Sequence, residues 1–114
     1  MRRRAVETEA VALTRQLAEL LEGARPTRRK AGHVRVDKLE VHRLVERLNS
    51  ATGAPMRRDW RGRVSVSDTS PLLVAANETR EAVARAPQLL FTDDVLLGSE
   101  RAEHLATRLR QAAE

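Results

Sequence analysis

Cysteine is absent from the 114 residues, and aromatic residues are nearly absent. Without a thiol the chain has no disulfide framework, no thiolate zinc site and no cysteine nucleophile. Trp60 and Phe91 are its only Phe, Trp or Tyr residues, so the core is predicted to consist of Leu, Val and Ala. Such cores are thin at this size, so we expect the chain to associate with a second copy of itself, with a homodimer as the default.

Long hydrophobic runs are also missing. No apolar stretch approaches the roughly 20 residues that span a bilayer, and the first residues, Met-Arg-Arg-Arg, lead into a charged segment rather than an apolar signal core. We therefore expect a cytoplasmic protein that does not insert into membranes. Arg outnumbers Lys by 19 to 2, which indicates a bacterial source with a GC-rich genome.

The signatures of common catalytic sites are absent as well. The sequence has no G-x-S-x-G, Walker loop, G-x-G-x-x-G or His-Glu-x-x-His motif. His42 with Glu46, and His104 with Glu100, have the i,i+4 spacing that could share a metal, but no third ligand is identifiable and weak helix pairing explains both. We expect neither enzyme activity nor a cofactor nor a metal site.

What the chain does contain is an uneven distribution of charge. The composition, 41% apolar and 32% charged, is typical of a folded helical protein. Residues 1–63 carry 16 basic and 8 acidic side chains, whereas residues 64–114 carry 5 basic and 8 acidic ones. The net charge of +5 therefore combines a basic first half with a mildly acidic second half.

Apolar residues recur with helical spacing in four segments, separated by Gly, Pro and short alternating stretches. The predicted helices cover about residues 4–23, 37–52, 70–85 and 99–113. Short strands are predicted at 33–36 and 64–66, and a strand or small hairpin is predicted within 88–98. Asp37 and Glu40 fit a capping box at the start of the second helix.

A repeat of 61 residues organises these elements. Shifting the chain by 61 places Pro26 on Pro87 and Val34 on Val95. The same shift superposes two apolar stripes: Val41, Leu44, Val45 and Leu48 on Ala102, Leu105, Ala106 and Leu109. The predicted fold is a helix-rich α+β domain over residues 1–114, in which two helix–strand–helix units, about 5–51 and 69–113, surround a small sheet.

A shorter period gives an alternative topology. Val34, Val64 and Val95 are spaced by 30 and 31 residues, and each precedes a predicted helix. That spacing would give three strand–helix steps and a small parallel sheet.

Two basic loops are the main candidate interaction site. The first loop, with the adjoining histidine, contains Arg25, Arg28, Arg29, Lys30 and His33. The second contains Arg57, Arg58, Trp60, Arg61 and Arg63. Arginine binds phosphate through two parallel hydrogen bonds, and an exposed Trp stacks on a base or anchors a protein contact. Three interpretations of the loops are open: an Arg-rich surface without a special role, a surface that binds a protein partner, and a surface that binds nucleic acid. The loops would form one patch if the strands that follow them run in the same direction.

A third loop is apolar and acidic, with Asp93 and Asp94 between two apolar runs. Aspartate favours turns because its side chain bonds nearby backbone N–H groups. We hypothesise that this turn mediates self-association, with the basic loops of one copy docking on residues 92–94 of another.

The stretches Leu17-Ala-Glu-Leu-Leu-Glu-Gly-Ala-Arg-Pro26, His33-Val-Arg-Val-Asp37 and Leu44-Val-Glu-Arg-Leu48 are similar to the N-terminal helix–strand–helix region of actinobacterial DivIVA-like septation proteins. The resemblance covers residues 13–51 and, more faintly, 74–112. It implies a protein-interaction module associated with cell growth or division. The long coiled coil of that family does not follow here.

Together these features predict a non-enzymatic interaction or adaptor module that binds itself and another protein. The alternative is a small nucleic-acid-binding regulator that uses the two Arg-rich loops.

Overall fold

The computed structural model describes residues 2–28, 30–52, 56–58, 64–66 and 71–114, with side chains described over 9–28, 30–51 and 71–114. Its helices are α1 Arg2–Glu22, α2 Lys38–Thr52, α3 Pro71–Arg85 and α4 Ser99–Ala113. Its strands are β1 Arg25–Pro26, β2 His33–Asp37, β3 Met56–Arg58, β4 Val64–Val66 and β5 Asp94–Gly98. The predicted helix-rich α+β class is confirmed.

The described strands form two separate antiparallel sheets, ordered β1-β2-β5 and β3-β4. The alternative parallel sheet is therefore wrong, because Val64 lies in β4 while Val34 and Val95 lie in the other sheet. Antiparallel pairing places Val34 opposite Leu97 and Val36 opposite Val95, so these four side chains bury the same face of the ribbon.

The register of β2 and β5 agrees with the 61-residue repeat. His33 pairs with Gly98 and Asp37 pairs with Asp94. Under the 61-residue shift, position 33 corresponds to position 94 and position 37 corresponds to position 98. One pair thus becomes the other, as a two-fold axis through the ribbon requires. The two helix–strand–helix units are related by this approximate symmetry around the sheet.

The core lies between the helices and the inner face of the ribbon. Both stripes predicted from the repeat, in α2 and in α4, are buried in full. Leu17 of α1 and Leu73 of α3, which are 1% and 0% exposed, belong to the same core. Each fully buried leucine contributes about 1.5–3 kcal/mol of transfer free energy. None of the described helices has the length and apolar character needed to cross a bilayer.

The start of α2 follows from its cap. Asp37 Oδ1 accepts hydrogen bonds from the N–H groups of Leu39 and Glu40, at 3.0 and 3.3 Å. The aspartate half of the predicted capping box is thus present. The Glu40 carboxylate is drawn toward solvent instead, where Arg43 donates to it at 2.8 Å.

The C-terminal end of α1 is tied to α4 by a two-pronged ion pair. Arg110 donates to Glu22 through Nη2 at 2.6 Å and through Nε at 3.0 Å. The hydrogen bond from Arg110 lowers the pKa of the Glu22 carboxyl. This contact joins the first helix of one unit to the second helix of the other.

Candidate interaction surface

Two equivalent turns lie next to the ribbon, one in each unit. We call residues 27–32 the basic turn and residues 88–93 the apolar turn. A backbone hydrogen bond closes each one, from Thr27 N–H to His33 O at 3.1 Å and from Leu89 N–H to Asp94 O at 2.9 Å. The turns occupy equivalent positions in the repeat, but their backbones and their chemistry differ. The left-handed residue is Gly32 in the first and Phe91 in the second. The first reads Thr-Arg-Arg-Lys-Ala-Gly and the second Gln-Leu-Leu-Phe-Thr-Asp.

Each turn also holds the helix start of the other unit. Ser99 N–H donates to Gly32 O at 2.8 Å, and Lys38 N–H donates to Asp93 O at 3.0 Å. These bonds satisfy N–H groups that a helix start would otherwise leave unpaired. Both turns are thus bonded through their backbones to the first residue of a helix in the other unit.

The basic turn presents its cations to solvent. Arg28 and Lys30 are exposed, as is Arg25 in the preceding strand β1, and Arg29 lies outside the described residues. His33 is half-buried, with Nδ1 3.1 Å from the carbonyl oxygen of Ala31. Of the predicted first basic loop, three residues are thus exposed and His33 is half-buried.

The apolar turn presents hydrophobic side chains to solvent. Leu90 is 80% exposed and Phe91 is fully exposed. Phe91 also has a φ of 64°, in the left-handed region that non-glycine residues rarely occupy. In the sequence this segment is an apolar run, and apolar runs are ordinarily buried. The exposure could not be read from hydropathy.

Side-chain hydrogen bonds brace the apolar turn. Gln88 Nε2 donates to the carbonyl oxygen of Thr92 at 3.0 Å. Thr92 Oγ1 donates to Leu89 O at 3.2 Å and accepts from Asp94 N–H at 3.2 Å. The exposed conformation of Leu90 and Phe91 is therefore held by bonds on both sides of it.

The two predicted acidic residues of this turn have different roles. Asp94 accepts two hydrogen bonds at Oδ2 from Arg35, at 3.0 Å from Nε and 2.7 Å from Nη2. Asp93 is exposed, and its backbone oxygen accepts from Lys38. Asp94 is therefore engaged within its own chain, which leaves Asp93 as the outward carboxylate of the turn.

Arg35 also belongs to this surface, although its place there was not predicted from the sequence. It lies on the outer face of β2, between the buried Val34 and Val36. Strand alternation places Arg35 outside, but its pairing with Asp94 depends on the register of two strands that are 59 residues apart.

A cleft of about 340 Å³ separates the two turns on the outer side of the sheet. Its lining consists of Pro26, Thr27, Arg28, Arg35, Leu89, Leu90 and Thr92. The cleft therefore has cationic groups from the first unit and apolar groups from the second. Such a lining suits a segment that carries both acidic and apolar side chains.

The second predicted basic loop lies largely outside the described residues. Trp60, Arg61 and Arg63 are not described, and Arg57 and Arg58 are described only as backbone of β3. The strands that follow the two basic loops, β2 and β4, belong to different sheets, so a shared sheet does not align the loops.

The two predicted histidine–glutamate pairs lie on different helices, α2 and α4. No group of three or more His, Cys, Asp or Glu side chains within the described ranges is placed to hold a metal ion. Burial between helices lowers the pKa of His42, and the positive charges of Arg80 and Lys38 lower it further, against a smaller opposing effect of Glu46.

Comparisons with protein-family models, with curated proteins and with solved structures found no match.

Proposed function

We propose that this chain is a non-enzymatic protein-interaction module that binds itself and another protein through the two turns and the cleft between them. The observation that best supports this proposal is at Phe91, whose side chain is fully exposed and whose backbone is left-handed. A non-glycine residue in that region raises the free energy of the fold by about 1–3 kcal/mol. Strain of this kind, held in place by the Gln88 and Thr92 bonds, is characteristic of functional positions.

The neighbourhood of Phe91 supports a contact surface rather than a single stray side chain. Four large apolar residues are strongly exposed among those described: Leu39, Val74, Leu90 and Phe91. Leu90 and Phe91 are adjacent, and Leu39 follows Lys38, whose N–H bonds to Asp93 in the same turn. Two of the four thus lie side by side in the apolar turn, and Leu39 follows the residue that bonds to this turn. Grouped exposed apolar side chains mark protein interaction sites.

The resemblance of residues 13–51 to DivIVA-like septation proteins motivates a partner associated with growth or division in a GC-rich bacterium. Arg28 and Arg35 beside Leu89 and Leu90 favour a partner segment with acidic and apolar residues. Charge complementarity of this kind sets specificity and association rate more than affinity.

A photoreactive amino acid at position 91, compared with one at position 74 in living cells, tests the proposal. Both positions carry exposed apolar residues, but Val74 lies on α3, away from the turns. We expect protein adducts from position 91 and few from position 74. Equal labelling at both positions, or none at 91, would count against a contact surface at the apolar turn.

Nucleic-acid binding is the second candidate, favoured by the exposed Arg25, Arg28 and Lys30 of the first basic loop. Phosphate contacts weaken steeply with salt because binding releases counterions. Binding to a random duplex of about 30 base pairs at roughly 50 mM salt, lost at roughly 200 mM, would support it. An Arg57→Ala/Arg58→Ala/Arg61→Ala variant and an Arg28→Ala/Lys30→Ala variant then assign the contact to one loop. Absence of binding at the lower salt rejects this candidate.

A further inference from the structure

The cleft between the two turns differs in charge from three other clefts among the described residues. Its lining contains the cations Arg28 and Arg35 and no acidic side chain. The cleft beside α3 and β5 and the cleft between α1 and β2 are each lined by two cations and two carboxylates, and the cleft between α1 and α4 is lined by two glutamates and no cation. Cations without opposing carboxylates favour an anionic occupant. We call this site the inter-turn cleft.

The two walls of the inter-turn cleft come from equivalent positions of the repeat but differ in chemistry. Arg28 and Leu89 correspond under the 61-residue shift, and both line this cleft. Arg28 lies in the basic turn. Leu89 lies in the apolar turn and is followed by Leu90, which is 80% exposed and also lines the cleft. One wall can therefore bind a carboxylate, and the other can bury an apolar side chain.

An extended peptide segment meets both requirements at once. Successive side chains of an extended chain point to opposite sides. An acidic residue followed by an apolar one thus offers a carboxylate to one wall and an apolar side chain to the other. The lining contains no aromatic side chain on which a base could stack, so it favours a peptide over nucleic acid.

Arg35 already has a carboxylate partner within the chain. Its Nε and Nη2 both donate to Asp94 Oδ2, at 3.0 and 2.7 Å. Arg35 lines the inter-turn cleft and also the cleft between α1 and β2, whereas Asp94 lines the second of these and not the first. The Arg35 side chain therefore lies between its own aspartate and the inter-turn cleft. The repeat does not duplicate this pair, because the equivalent positions hold Leu96 and His33.

We propose that the inter-turn cleft binds an extended peptide segment of alternating acidic and apolar residues through Arg28 and Arg35, and that Asp94 competes with the carboxylate of that segment for Arg35. This rests on the proposed interaction function and names the chemistry of its partner. The Arg35 and Asp94 side chains are 42% and 29% exposed, so their ion pair is weak enough for a ligand carboxylate to replace. Removing the Asp94 charge should therefore strengthen binding by about 2- to 5-fold, the range that such an exposed pair spans.

Titration of the isotopically labelled full chain with a short peptide, followed by two-dimensional NMR, tests this site. The probe is acetyl-Ser-Glu-Leu-Glu-Leu-Ser-amide, which alternates carboxylates with apolar side chains. We expect amide signals of both turns to shift, with a dissociation constant on the order of 1 mM or below. Matched peptides with Gln in place of Glu, or with Ser in place of Leu, should bind at least about 5-fold more weakly.

Substitutions in the full chain assign the carboxylate contact. Arg35→Gln should weaken binding of the probe by at least about 5-fold. Arg25→Gln is its matched control, because it removes the same charge from the neighbouring strand β1, outside the lining of the cleft. Asp94→Asn should tighten binding by about 2- to 5-fold. Asp93→Asn should have a smaller effect, since it removes an exposed carboxylate of the same turn and leaves the Arg35–Asp94 pair in place. The NMR spectrum of each variant establishes that the fold is kept.

Equal tightening by Asp94→Asn and Asp93→Asn would overturn the competition for Arg35. A probe that shifts neither turn at roughly 5 mM, or that binds Arg35→Gln as tightly as the wild type, would overturn the cleft as a peptide site. An oligonucleotide that shifts these signals where the peptide does not would assign the cleft to nucleic acid instead. The proposed function fails by a different result, the absence of protein adducts from position 91. Adducts from that position would leave the interaction module standing even if the probe does not bind.

Discussion

Arg35 and Leu96 face each other at the centre of the β2–β5 ribbon, and they are 61 positions apart in the chain. A residue that pairs with its own repeat equivalent marks the point through which a two-fold axis passes. The two units differ in side chain at this pair of positions. Arg35 binds Asp94, whereas the equivalent Leu96 has no charged group to offer.

The backbone at the two turns predicts opposite effects of substitution. Phe91→Gly should stabilise the monomer by about 1 kcal/mol, because glycine adopts a φ of 64° without steric strain. Gly32→Ala, at a φ of 75° with no atom within 4 Å of the added Cβ, should destabilise it by about 1 kcal/mol. Urea unfolding at low protein concentration measures both changes. A loss of stability in Phe91→Gly would show that its side chain supports the fold.

Equivalent core leucines should contribute similar amounts to the free energy of unfolding. Leu48 and Leu109 are 1% and 0% exposed and correspond under the 61-residue shift. Replacing either by Ala should destabilise the fold by about 2–5 kcal/mol, through lost transfer energy and an unfilled cavity. Thermal or urea unfolding of the two variants provides the comparison. A large effect at one position alone would indicate that a single unit carries the stability.

The Arg35–Asp94 pair should contribute little to stability despite its geometry. The two side chains are 42% and 29% exposed, so water and salt screen their attraction. A double-mutant cycle with Arg35→Gln and Asp94→Asn should give a coupling of about 0.5–1 kcal/mol that declines with added salt. A coupling of several kcal/mol, insensitive to salt, would contradict this reading of a surface pair.

His42 should make stability depend on pH. Burial, Arg80 and Lys38 lower its pKa in the folded state below the ordinary value of 6.5. The unfolded chain therefore takes up the proton first. The stability due to neutral His42 is full above about pH 6.5, and it is lost as the pH falls through the lowered folded-state pKa.

His42→Gln should flatten the pH dependence of urea unfolding in that range. His104→Gln, at an exposed position of α4, serves as the control. An unchanged pH profile in His42→Gln would mean that other groups set the acid sensitivity.

The helices and their buried faces could be predicted because their determinants are local. Helix α3 begins at Pro71, within one residue of the predicted start at 70, and Asp37 caps α2. The stripe around Val45 and Leu48 follows helical spacing and is buried as predicted. The 61-residue repeat was readable for the same reason, since equivalent breakers and stripes recur without a gap.

The strand pairing and the exposed turn could not be predicted in this way. A strand of two or three residues has too few positions for its sequence pattern to show which strand it pairs with. From the sequence, Val64 was therefore as plausible a pairing partner for Val34 as Val95 was. The exposure of Phe91 depends on how Gln88 and Thr92 bond the turn, which hydropathy does not encode. The candidate site was therefore only partly predicted: the cations were found, but the apolar tip was read as an ordinary run.

The exchange of one turn for the other tests most directly whether the apolar turn is the contact surface. A Leu89→Arg/Leu90→Arg/Phe91→Lys variant carries, at positions 89–91, the side chains of residues 28–30 of the basic turn. We predict that it folds with a thermal transition near that of the wild type and sediments as a monomer where the wild type is dimeric. A variant that still dimerises with wild-type affinity would contradict the assignment of this turn as the interaction surface.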